Sequence, residues 1–371
     1  EKHPGRATAN PDGALASVAI GGVQYDTITF LGSGGGGEVW KATDPVTGNK
    51  IVPKMPKGFS ADETIAEDEH QNLRKEGSSH RAVSGGEHGA CPENILDMKG
   101  MVLAPNGAPL IAMDLADAGD ADDYTEAMGA CEHSGLISEP ARQAMMAEQM
   151  RDIVKGMKAM QIKGMTHHDL KEANVFLASD GTFKVADFGL SEHVDGRDGK
   201  VTGLEEFTPG YQPPELAGDG DITQKSDNFT LGEILDKITD PMRKRGAVSE
   251  KFSVHNAAPG QSTDATGAPI MVSALERTIN KLKDPDPDKR PSLDAVLMSS
   301  FFTDVESSHT ADDIKRLKKA SAEYAKSVGR ETANLNRYLT LTEGEIAQLE
   351  LSKTDALLQA RIDNANRRIA E

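Results

Sequence analysis

The sequence is poor in cysteine and lacks any long apolar run. Its only two cysteines are Cys91 and Cys131, too few for a disulfide framework or a four-ligand zinc site. We expect both to be free thiols in a reducing compartment. No apolar run approaches the roughly 18 residues of a membrane-spanning helix. These absences predict a globular protein that is not held together by disulfides.

Positive charge is also scarce: the chain has 41 Lys and Arg residues against 59 Asp and Glu residues, and its formal net charge is -18. Nucleic acid and anionic membrane surfaces would be repelled, so we expect neither as a partner and favour basic partners instead. The first residues, EKHPGRATANPDG, lack the apolar middle of a signal peptide, which favours a cytoplasmic location. The sequence begins at Glu1 rather than Met, which leaves open whether a native segment with a targeting signal precedes it.

The segment at residues 164–190, GMTHHDLKEANVFLASDGTFKVADFGL, concentrates polar chemistry in a short stretch. Asp169, Lys171 and Asn174 fall in one short loop, and Asp187 follows in a DFG turn. Phosphoryl transfer needs a carboxylate to orient the attacking hydroxyl, a cation on the phosphate and oxygen ligands for Mg²⁺. We therefore predict Asp169 and Lys171 as catalytic residues and Asn174 and Asp187 as ligands of Mg²⁺, a hard ion that prefers oxygen.

A glycine cluster, GSGGGGEV at residues 32–39, fits the pattern G-x-G-x-x-G-x-V between two predicted strands. Glycine lets backbone N–H groups approach phosphate oxygens closely. A dinucleotide-binding loop uses the same chemistry, but there a helix follows, whereas EVWKAT is typical of a strand. We predict that Gly32, Ser33, Gly34 and Gly37 contact the phosphates of a nucleotide and that the loop is a mobile lid.

With these motifs in order, the chain resembles the protein kinase superfamily, of the Ser/Thr type because of its DLK sequence, over about residues 25–305. The resemblance implies a two-lobed α+β fold that transfers the γ-phosphate of ATP to Ser or Thr hydroxyls of protein substrates. TPGYQPPE at 208–215 resembles a substrate-docking loop. By the same resemblance, Asp227 anchors the catalytic loop and Arg290 pairs with Glu215.

The resemblance also assigns Lys54 to the α- and β-phosphates, which requires a carboxylate partner on the following helix. We predict that helix over residues 61–76 and choose Glu69 as the partner, because Leu73 lies one helical turn further on. Glu67 is the alternative. A Gly-, Ser- and His-rich stretch at 77–90 is expected to interrupt the structure after this helix.

The resemblance further implies a pocket for adenine. Met113 would be the gatekeeper behind the base, and the backbone of Asp114 and Ala116 the hinge. Further nucleotide-binding residues by this resemblance are Val39, Val52 and Phe176. Val52 replaces a smaller alanine and Pro53 removes a strand N–H next to Lys54, so we expect tighter space around adenine.

Two adjacent histidines in the catalytic loop receive different predictions. His167 is interpreted as a core histidine that packs under Phe188 rather than as a base. His168 occupies the position where most kinases have an arginine that pairs with an activation-loop phosphate. The chain is therefore of the non-RD type, and we expect activity without phosphorylation of that loop.

We divide the chain into a mobile leader (1–22), an N-lobe of five strands and one helix (23–116), a helical C-lobe (117–305) and a helical C-terminal extension (306–371). A stripe of Met, Ile and Val on the helix capped by Ser138 is predicted to be core. Capping boxes at 310–313 and 342–345 predict a C-terminal helical hairpin. The sequence leaves three alternatives open for this hairpin: it packs on the large lobe, it binds a partner or a second copy of the chain, or it is a disordered tail.

Competing functions are a pseudokinase scaffold, which keeps the fold but signals by binding, and a small-molecule kinase. Low aromatic content and the appended helices resemble secreted effector kinases of bacterial pathogens, which act in the host cytoplasm and in some cases await a host activator. An ordinary cytoplasmic kinase is the alternative. Four acidic residues after the hinge would select basic substrate peptides or form a solvated face: Asp117, Asp120, Asp122 and Asp123.

Overall fold

The computed structural model describes residues 5–10, 13–34, 36–60, 66–85, 90–125, 139–194, 208–217, 222–244, 270–303 and 310–339. Four features of the sequence analysis lie outside these residues. They are Cys131, the cap Ser138, the second capping box at 342–345 and the second helix of the predicted C-terminal hairpin.

Seven strands of the N-terminal part form one closed barrel, in the order β1-β2-β3-β4-β5-β7-β6. The strands are β1 (Gly5–Ala9), β2 (Leu15–Ile20), β3 (Val23–Gly34), β4 (Gly37–Thr43), β5 (Lys50–Met55), β6 (Met98–Leu103) and β7 (Pro109–Asp114). All neighbours are antiparallel except β1 and β6, which run parallel where the barrel closes. Strands β3 to β7 lie where five strands were predicted.

The expectation that structure begins near Val23 is wrong, because β1 and β2 form a hairpin within the expected leader. Ala7, Leu15 and Val18 from this hairpin are buried in the barrel core together with Val102 of β6 and Leu110 of β7. The hairpin residues are mostly small, so their strand propensity is weak. They form strands because they are buried against β6 and β7 in the barrel core, and not because of their local propensity.

The N-terminal helix is α1 (Glu67–Val83), which begins and ends later than predicted. Its buried residues form a stripe at helical spacing: Leu73, Glu76, Gly77, His80 and Val83. The expected interruption from residue 77 is therefore wrong. Gly77 and the serines after it are poor helix formers, but packing of the stripe outweighs their low propensity.

The C-terminal part is built on helices. They are α2 (Glu139–Ile162), α3 (Gln224–Lys244), α4 (Ile270–Leu282), α5 (Leu293–Leu297) and α6 (Ala311–Leu339). Short strands β8 (Met165–Thr166), β9 (Val175–Leu177), β10 (Phe183–Val185) and β11 (Glu192–His193) carry the polar loops. The apolar stripe of α2 is fully buried in the main core, which confirms its prediction as core: Met145, Met146, Met150, Ile153, Val154, Met157 and Met160.

The helix α6 packs on the C-terminal part through a mixed apolar and ionic contact. Its first turn has the predicted capping box, in which the Asp313 N–H donates to Thr310 Oγ1 over 3.2 Å. Lys318 Nζ lies 2.5 Å from Asp152 Oδ2 of α2, and Ala322 and Ala325 are buried. Within the described ranges, no helix is both long enough and apolar enough to cross a membrane.

The contact between α6 and the β9–β10 turn generates a stability prediction. Gly181 has φ +85, and a Cβ there would overlap the backbone oxygen of Lys318, whereas Gly107 has φ +84 and open space around it. Alanine at either position carries the same backbone strain, but only Gly181→Ala must displace α6. We expect Gly181→Ala to lower the free energy of unfolding by roughly 1–3 kcal/mol more than Gly107→Ala in denaturant titrations. Equal losses would contradict this packing of α6.

Candidate active site

The centre of the site is a cluster of one buried cation, Lys54, and two carboxylates, of which Glu76 is buried and Asp187 is 35% exposed. Lys54 Nζ of β5 lies 2.6 Å from Glu76 Oε1 of α1 and 3.1 Å from Asp187 Oδ1 of the DFG turn. The side chains of Lys54 and Glu76 are 8% and 6% exposed, so solvent screens this pair little. Three separate elements of the chain thus meet at one ammonium group.

Burial and charge have opposite effects on the pKa values of this cluster. Burial alone would lower the pKa of Lys54, but the charges of Asp187 and Glu76 raise it overall. Burial would raise the pKa of Asp187, yet the nearby Lys54 ammonium lowers it. Burial raises the pKa of Glu76 to about 7, against the attraction of Lys54 and with a further contribution from Asp187. Lys54 therefore stays charged, and Glu76 is the member of the cluster that protonates most readily.

The prediction that Glu69 pairs with Lys54 is wrong, as is the alternative Glu67. Both residues are exposed in the first turn of α1. The actual partner, Glu76, lies seven residues after Glu69, which is two helical turns along the same face. The error follows from the helix boundary: a helix ending at residue 76 places Glu69 in its middle, whereas the observed helix places Glu76 there.

The glycine loop joins β3 and β4 directly above this cluster. Gly34 is paired with Gly37, and Ser33 with Glu38. Gly37 has φ +128, and a Cβ there would overlap the backbone oxygen of Met55, so only glycine fits. A Cβ on Gly36 would lie 2.9 Å from Lys54 Nζ. The backbone at Gly36 therefore lies so close to Lys54 Nζ that a side chain at this position would displace the lysine.

The catalytic loop converges on Asp169. Lys171 Nζ donates to Asp169 Oδ2 over 2.7 Å, and Thr208 Oγ1 donates to Asp169 Oδ1 over 2.5 Å. Asn174 Nδ2 donates to the backbone oxygen of Asp169 over 2.7 Å and to its Oδ2 over 3.1 Å. Lys171 Nζ also donates to Thr208 over 3.2 Å. Both carboxylate oxygens of Asp169 are thus fixed in direction.

The backbone of this loop is held from below by Asp227 of α3. Its Oδ2 accepts from the N–H of His167 over 2.7 Å, and its Oδ1 from the N–H of His168 over 3.1 Å. His168 has φ +66, in the left-handed region, so the two bonds hold a strained backbone in place. Asp227 has the anchoring geometry that was predicted for it.

The His167 and His168 rings are both buried. His167 Nε2 lies 3.0 Å from the backbone oxygen of Ala186, and its ring centroid lies 5.6 Å from that of Phe188, as expected of a core histidine. His168 Nε2 is hydrogen-bonded to Thr166 Oγ1. Burial lowers the pKa of His168, so its ring favours the neutral form.

A second buried ion pair fixes the segment that follows Thr208. Arg290 donates to both oxygens of Glu215, over 2.7 Å and 2.6 Å. Ser226 Oγ donates to Glu215 Oε1 over 2.7 Å, and the Arg290 side chain is fully buried. The predicted pairing of Arg290 with Glu215 is present in bidentate form, which gives directional as well as electrostatic stability.

An apolar cluster lies beside the ion cluster, between the barrel and β9. It contains all of the predicted apolar nucleotide contacts: Val39, Val52, Met113, Ala116 and Phe176. The Asp114 N–H already donates to the backbone oxygen of Asp97 over 2.9 Å, so its carbonyl is the candidate group for adenine. The structure brings these residues together, and their contact with a nucleotide stays a prediction.

The oxygen donors fit a metal that enters with a nucleotide. In the part of the chain that the structure describes, no three His, Cys, Asp or Glu residues are grouped as a metal cage. Mg²⁺ commonly takes only one or two protein ligands together with phosphate oxygens and water. The Asn174 side chain donates through Nδ2, which leaves its Oδ1 for a cation, and Asp187 supplies a carboxylate.

One cavity of about 730 Å³ connects these groups. Its lining includes Gly36 and Gly37 from the glycine loop, Glu76, Asp169, Lys171, Asp187 and Thr208. The glycine loop, the two carboxylate partners of Lys54 and the catalytic loop therefore share one open space.

Sequence reasoning missed two functional residues besides Glu76. Thr208 was assigned only to a docking loop, although its hydroxyl contacts both Asp169 and Lys171. His80 of α1 packs against Phe188 with ring centroids 4.7 Å apart, and its Nε2 lies 2.6 Å from the Leu96 carbonyl. The spacing of Leu73, Glu76 and His80 was the signal that could have identified the buried face of α1.

Comparison with known proteins agrees with this geometry. A family model described as "Protein kinase domain" matches residues 25–302, which is about three quarters of the chain. The match includes the glycine loop, Lys54, the catalytic loop and Arg290. It excludes β1, β2 and α6.

Three relatives illustrate the range of similar proteins. The chain is 27% identical over 243 residues to "Mitogen-activated protein kinase kinase kinase 20" of Arabidopsis thaliana, covering 62% of this chain and 67% of that protein. It is 30% identical over 154 residues to "Inactive serine/threonine-protein kinase PLK5" of Mus musculus, covering 42% and 25%. It is 26% identical over 293 residues to "Dual specificity protein kinase shkE" of Dictyostelium discoideum, covering 76% and 37%. The chain thus spans well under half of the last two proteins.

The corrected ion pair generates an activity prediction. We expect Glu76→Gln to lower kcat/KM for ATP about 100-fold, equivalent to roughly 3 kcal/mol, because the Lys54 ammonium loses the carboxylate that holds it in position. Asp68→Asn, on the same helix but exposed and outside the cavity lining, should change kcat/KM less than twofold. Steady-state assays with radiolabelled ATP measure both. Equal effects of the two variants would contradict the assignment of Glu76.

His80 generates a pH prediction. Burial lowers the pKa of His80 to about 4, against about 6.5 in the unfolded chain. Because the unfolded chain binds the proton first, the stability that neutral His80 contributes is complete above pH 6.5 and is lost as the pH falls towards 4. Between pH 7.5 and pH 5 the loss is about 2 kcal/mol.

Denaturant titrations of the wild-type protein and His80→Gln at these two pH values measure the effect. Glutamine keeps an N–H donor for the Leu96 carbonyl but does not titrate. We expect the wild type to lose its stability advantage over His80→Gln at pH 5. An advantage that is equal at both pH values would show that His80 is not a buried neutral ring.

Proposed function

Because the chain belongs to the protein kinase domain family, we propose that it is an ATP- and Mg²⁺-dependent protein serine/threonine kinase. One observation carries the proposal: Asp169, Lys171 and Asp187 line one cavity together with Gly36 and Gly37 of the glycine loop. Lys54 is ion-paired with Glu76 and Asp187, two residues of that lining. This arrangement supplies a cation for phosphates, a carboxylate for a hydroxyl and an oxygen ligand for a metal.

In the proposed mechanism the barrel holds the nucleotide. Adenine lies in the apolar cluster that contains Val52, Met113 and Phe176. Lys54, directed by Glu76, binds the α- and β-phosphates, and backbone N–H groups of the glycine loop contact phosphate oxygens. Since Lys54 and Glu76 are buried, their geometry is set before the nucleotide enters, which keeps reorganisation small.

Asp169 orients the attacking hydroxyl of a substrate Ser or Thr. The hydroxyl oxygen forms a bond to the γ-phosphorus while the bond from that phosphorus to the β-bridging oxygen breaks, and the hydroxyl proton passes to the Asp169 carboxylate. Thr208 and Lys171 fix the direction of the carboxylate oxygens. Lys171 also supplies positive charge next to the transferred group.

Asn174 Oδ1 and Asp187 would hold Mg²⁺. When bound, the ion would offset the negative charge on the β- and γ-phosphate oxygens. Asp187 suits this role because its pKa is lowered and it remains ionised.

We propose protein substrates, with Ser or Thr as the acceptor. A preference for basic peptides has less support than the sequence indicated, because Asp117 already pairs with Lys326 of α6 at 2.8 Å. Asp120 and Asp123 cap each other's backbone N–H groups over 3.0 Å and 3.3 Å. Asp122 is exposed and is the residue of this group that we propose for contact with a basic peptide.

For the biological setting we propose a secreted bacterial effector that acts in the cytoplasm of a host cell, with a protein activator. The support is few aromatic residues in the composition and the helix α6 appended after the matched kinase domain. A cytoplasmic kinase of the producing cell is the alternative. Recovery of a host protein that raises activity of the purified chain would separate these settings.

A pseudokinase scaffold is the second candidate function. One relative is itself described as inactive, and Val52, Pro53 and His168 depart from the usual pattern of the family. The groups that would contact phosphate and metal are all retained, which favours the active enzyme.

Phosphotransfer tests the two functions against each other. We expect the wild-type protein with radiolabelled ATP and Mg²⁺ to label itself or a generic protein substrate on Ser and Thr, as read by phosphoamino-acid analysis. Asp169→Ala should lower the rate by at least about 1,000-fold, because hydroxyl orientation and proton acceptance are lost together. Asp68→Ala, which removes an exposed carboxylate on α1, is the matched control. A wild-type rate no higher than that of Asp169→Ala would favour the scaffold.

A further inference from the structure

The hairpin formed by β1 and β2 lies outside the matched kinase domain but packs on it. Its turn is closed by the Gly13 N–H, which donates to the Asn10 backbone oxygen over 2.9 Å. A hydrogen bond of 2.7 Å joins Thr8 Oγ1 and Ser17 Oγ across the two strands. The hairpin closes the barrel by pairing β2 with β3 on one side and β1 with β6 on the other.

The contact between the hairpin and β6 is unusually close. Gly5 is paired with Val102 and Arg6 with Leu103 in parallel register. A Cβ on Gly5 would lie 2.7 Å from the Ala19 backbone oxygen and 2.9 Å from Val102 Cγ2. Any side chain at Gly5 must therefore displace β1 from β6 and also from its hairpin partner β2.

A second contact joins the hairpin to the same strand. Gly100 has φ +149, and a Cβ there would lie 3.0 Å from Ile20 Cδ1 of β2. Ile20 thus rests directly on the backbone of β6. Both hairpin strands press on one strand of the matched domain, and in each case a glycine permits the approach.

The opposite face of β6 carries α1. Met101 of β6 packs against Gly77 of α1, where a Cβ would overlap Met101 Sδ. Leu73 of α1 is buried in the cluster that Met101 contacts. Gly77 is adjacent in sequence to Glu76, the partner of Lys54. The position of β6 therefore sets the depth at which Glu76 enters the site.

We propose that the β1–β2 hairpin is a positioning element for phosphotransfer. It holds β6 against α1 and so keeps Glu76 paired with Lys54, with Gly5 as the residue on which the contact depends. The inference rests on the proposed kinase function. It gives the chain an internal support for α1 that is formed by its own N-terminal residues.

Gly5→Val tests the proposal, with Arg6→Ala as the matched control one residue along the same strand. Arg6 is exposed and its backbone pairing with Leu103 does not need the side chain. We expect Gly5→Val to lower kcat/KM for ATP about tenfold, and Arg6→Ala less than twofold. Each variant is also made in the Glu76→Gln background. There Gly5→Val should have little further effect, because both changes remove the same ion pair.

Hydrogen exchange provides a readout that does not require activity. Amides of α1 at residues 73–83 should exchange faster in Gly5→Val than in Arg6→Ala, while those of α2 stay unchanged. If Gly5→Val does not fold, Ile20→Ala replaces it, since it removes the second contact without adding bulk. It should show the same pattern with a smaller effect.

Three results would overturn the proposal. They are an unchanged kcat/KM per folded molecule, an equal fold-loss from Gly5→Val in the wild-type and Glu76→Gln backgrounds, or unchanged exchange in α1. Failure of the kinase function itself has a different signature: the wild-type protein would show no phosphotransfer, while faster exchange in α1 of Gly5→Val would still support the mechanical link.

Discussion

The buried contact of the Lys54 ammonium with two carboxylates is the constraint on which the rest of the molecule depends. Removing Lys54 and Glu76 from water is costly unless their charges satisfy each other, and Asp187 adds a second, partly exposed carboxylate. Barrel, helix and DFG turn must therefore meet within about 3 Å. Each element is fixed from a different side. Strand β5 is paired on both edges, α1 is packed on β6, and the DFG turn follows β10.

A second set of ionic contacts fixes the position of the catalytic loop, as the Lys54 cluster fixes the residues proposed to bind the nucleotide. Asp227 holds two consecutive backbone N–H groups, and Arg290 holds Glu215 through both oxygens. Both anchors are buried, so they do not compete with water. Asp227 fixes the strained backbone of His168, next to Asp169. Arg290 fixes the segment that follows Thr208 through Glu215. The geometry around Asp169 is therefore set by scaffold residues that never contact a substrate.

The parts of the site that could be predicted from sequence are those encoded in short segments. Asp169, Lys171 and Asn174 lie within six residues, and a loop of that length brings them together whatever surrounds it. Glu76 could not be chosen in this way, because its position depends on where α1 begins. That boundary is decided by packing of Leu73, Gly77 and His80 rather than by local propensity. The hairpin of β1 and β2 was missed for a related reason. Its small residues have weak strand propensity, and the paired residues of β6 lie about 100 positions further along the chain.

The central claim is that the cavity beside Lys54 binds ATP together with Mg²⁺ through Asp187. Calorimetric titration of ATP into the wild-type protein and Asp187→Asn, each with and without Mg²⁺, tests it most directly. The account predicts that Mg²⁺ tightens ATP binding to the wild type and that this gain is lost in Asp187→Asn. A wild-type protein that does not bind ATP at millimolar concentration, or a gain from Mg²⁺ that survives in Asp187→Asn, would contradict it.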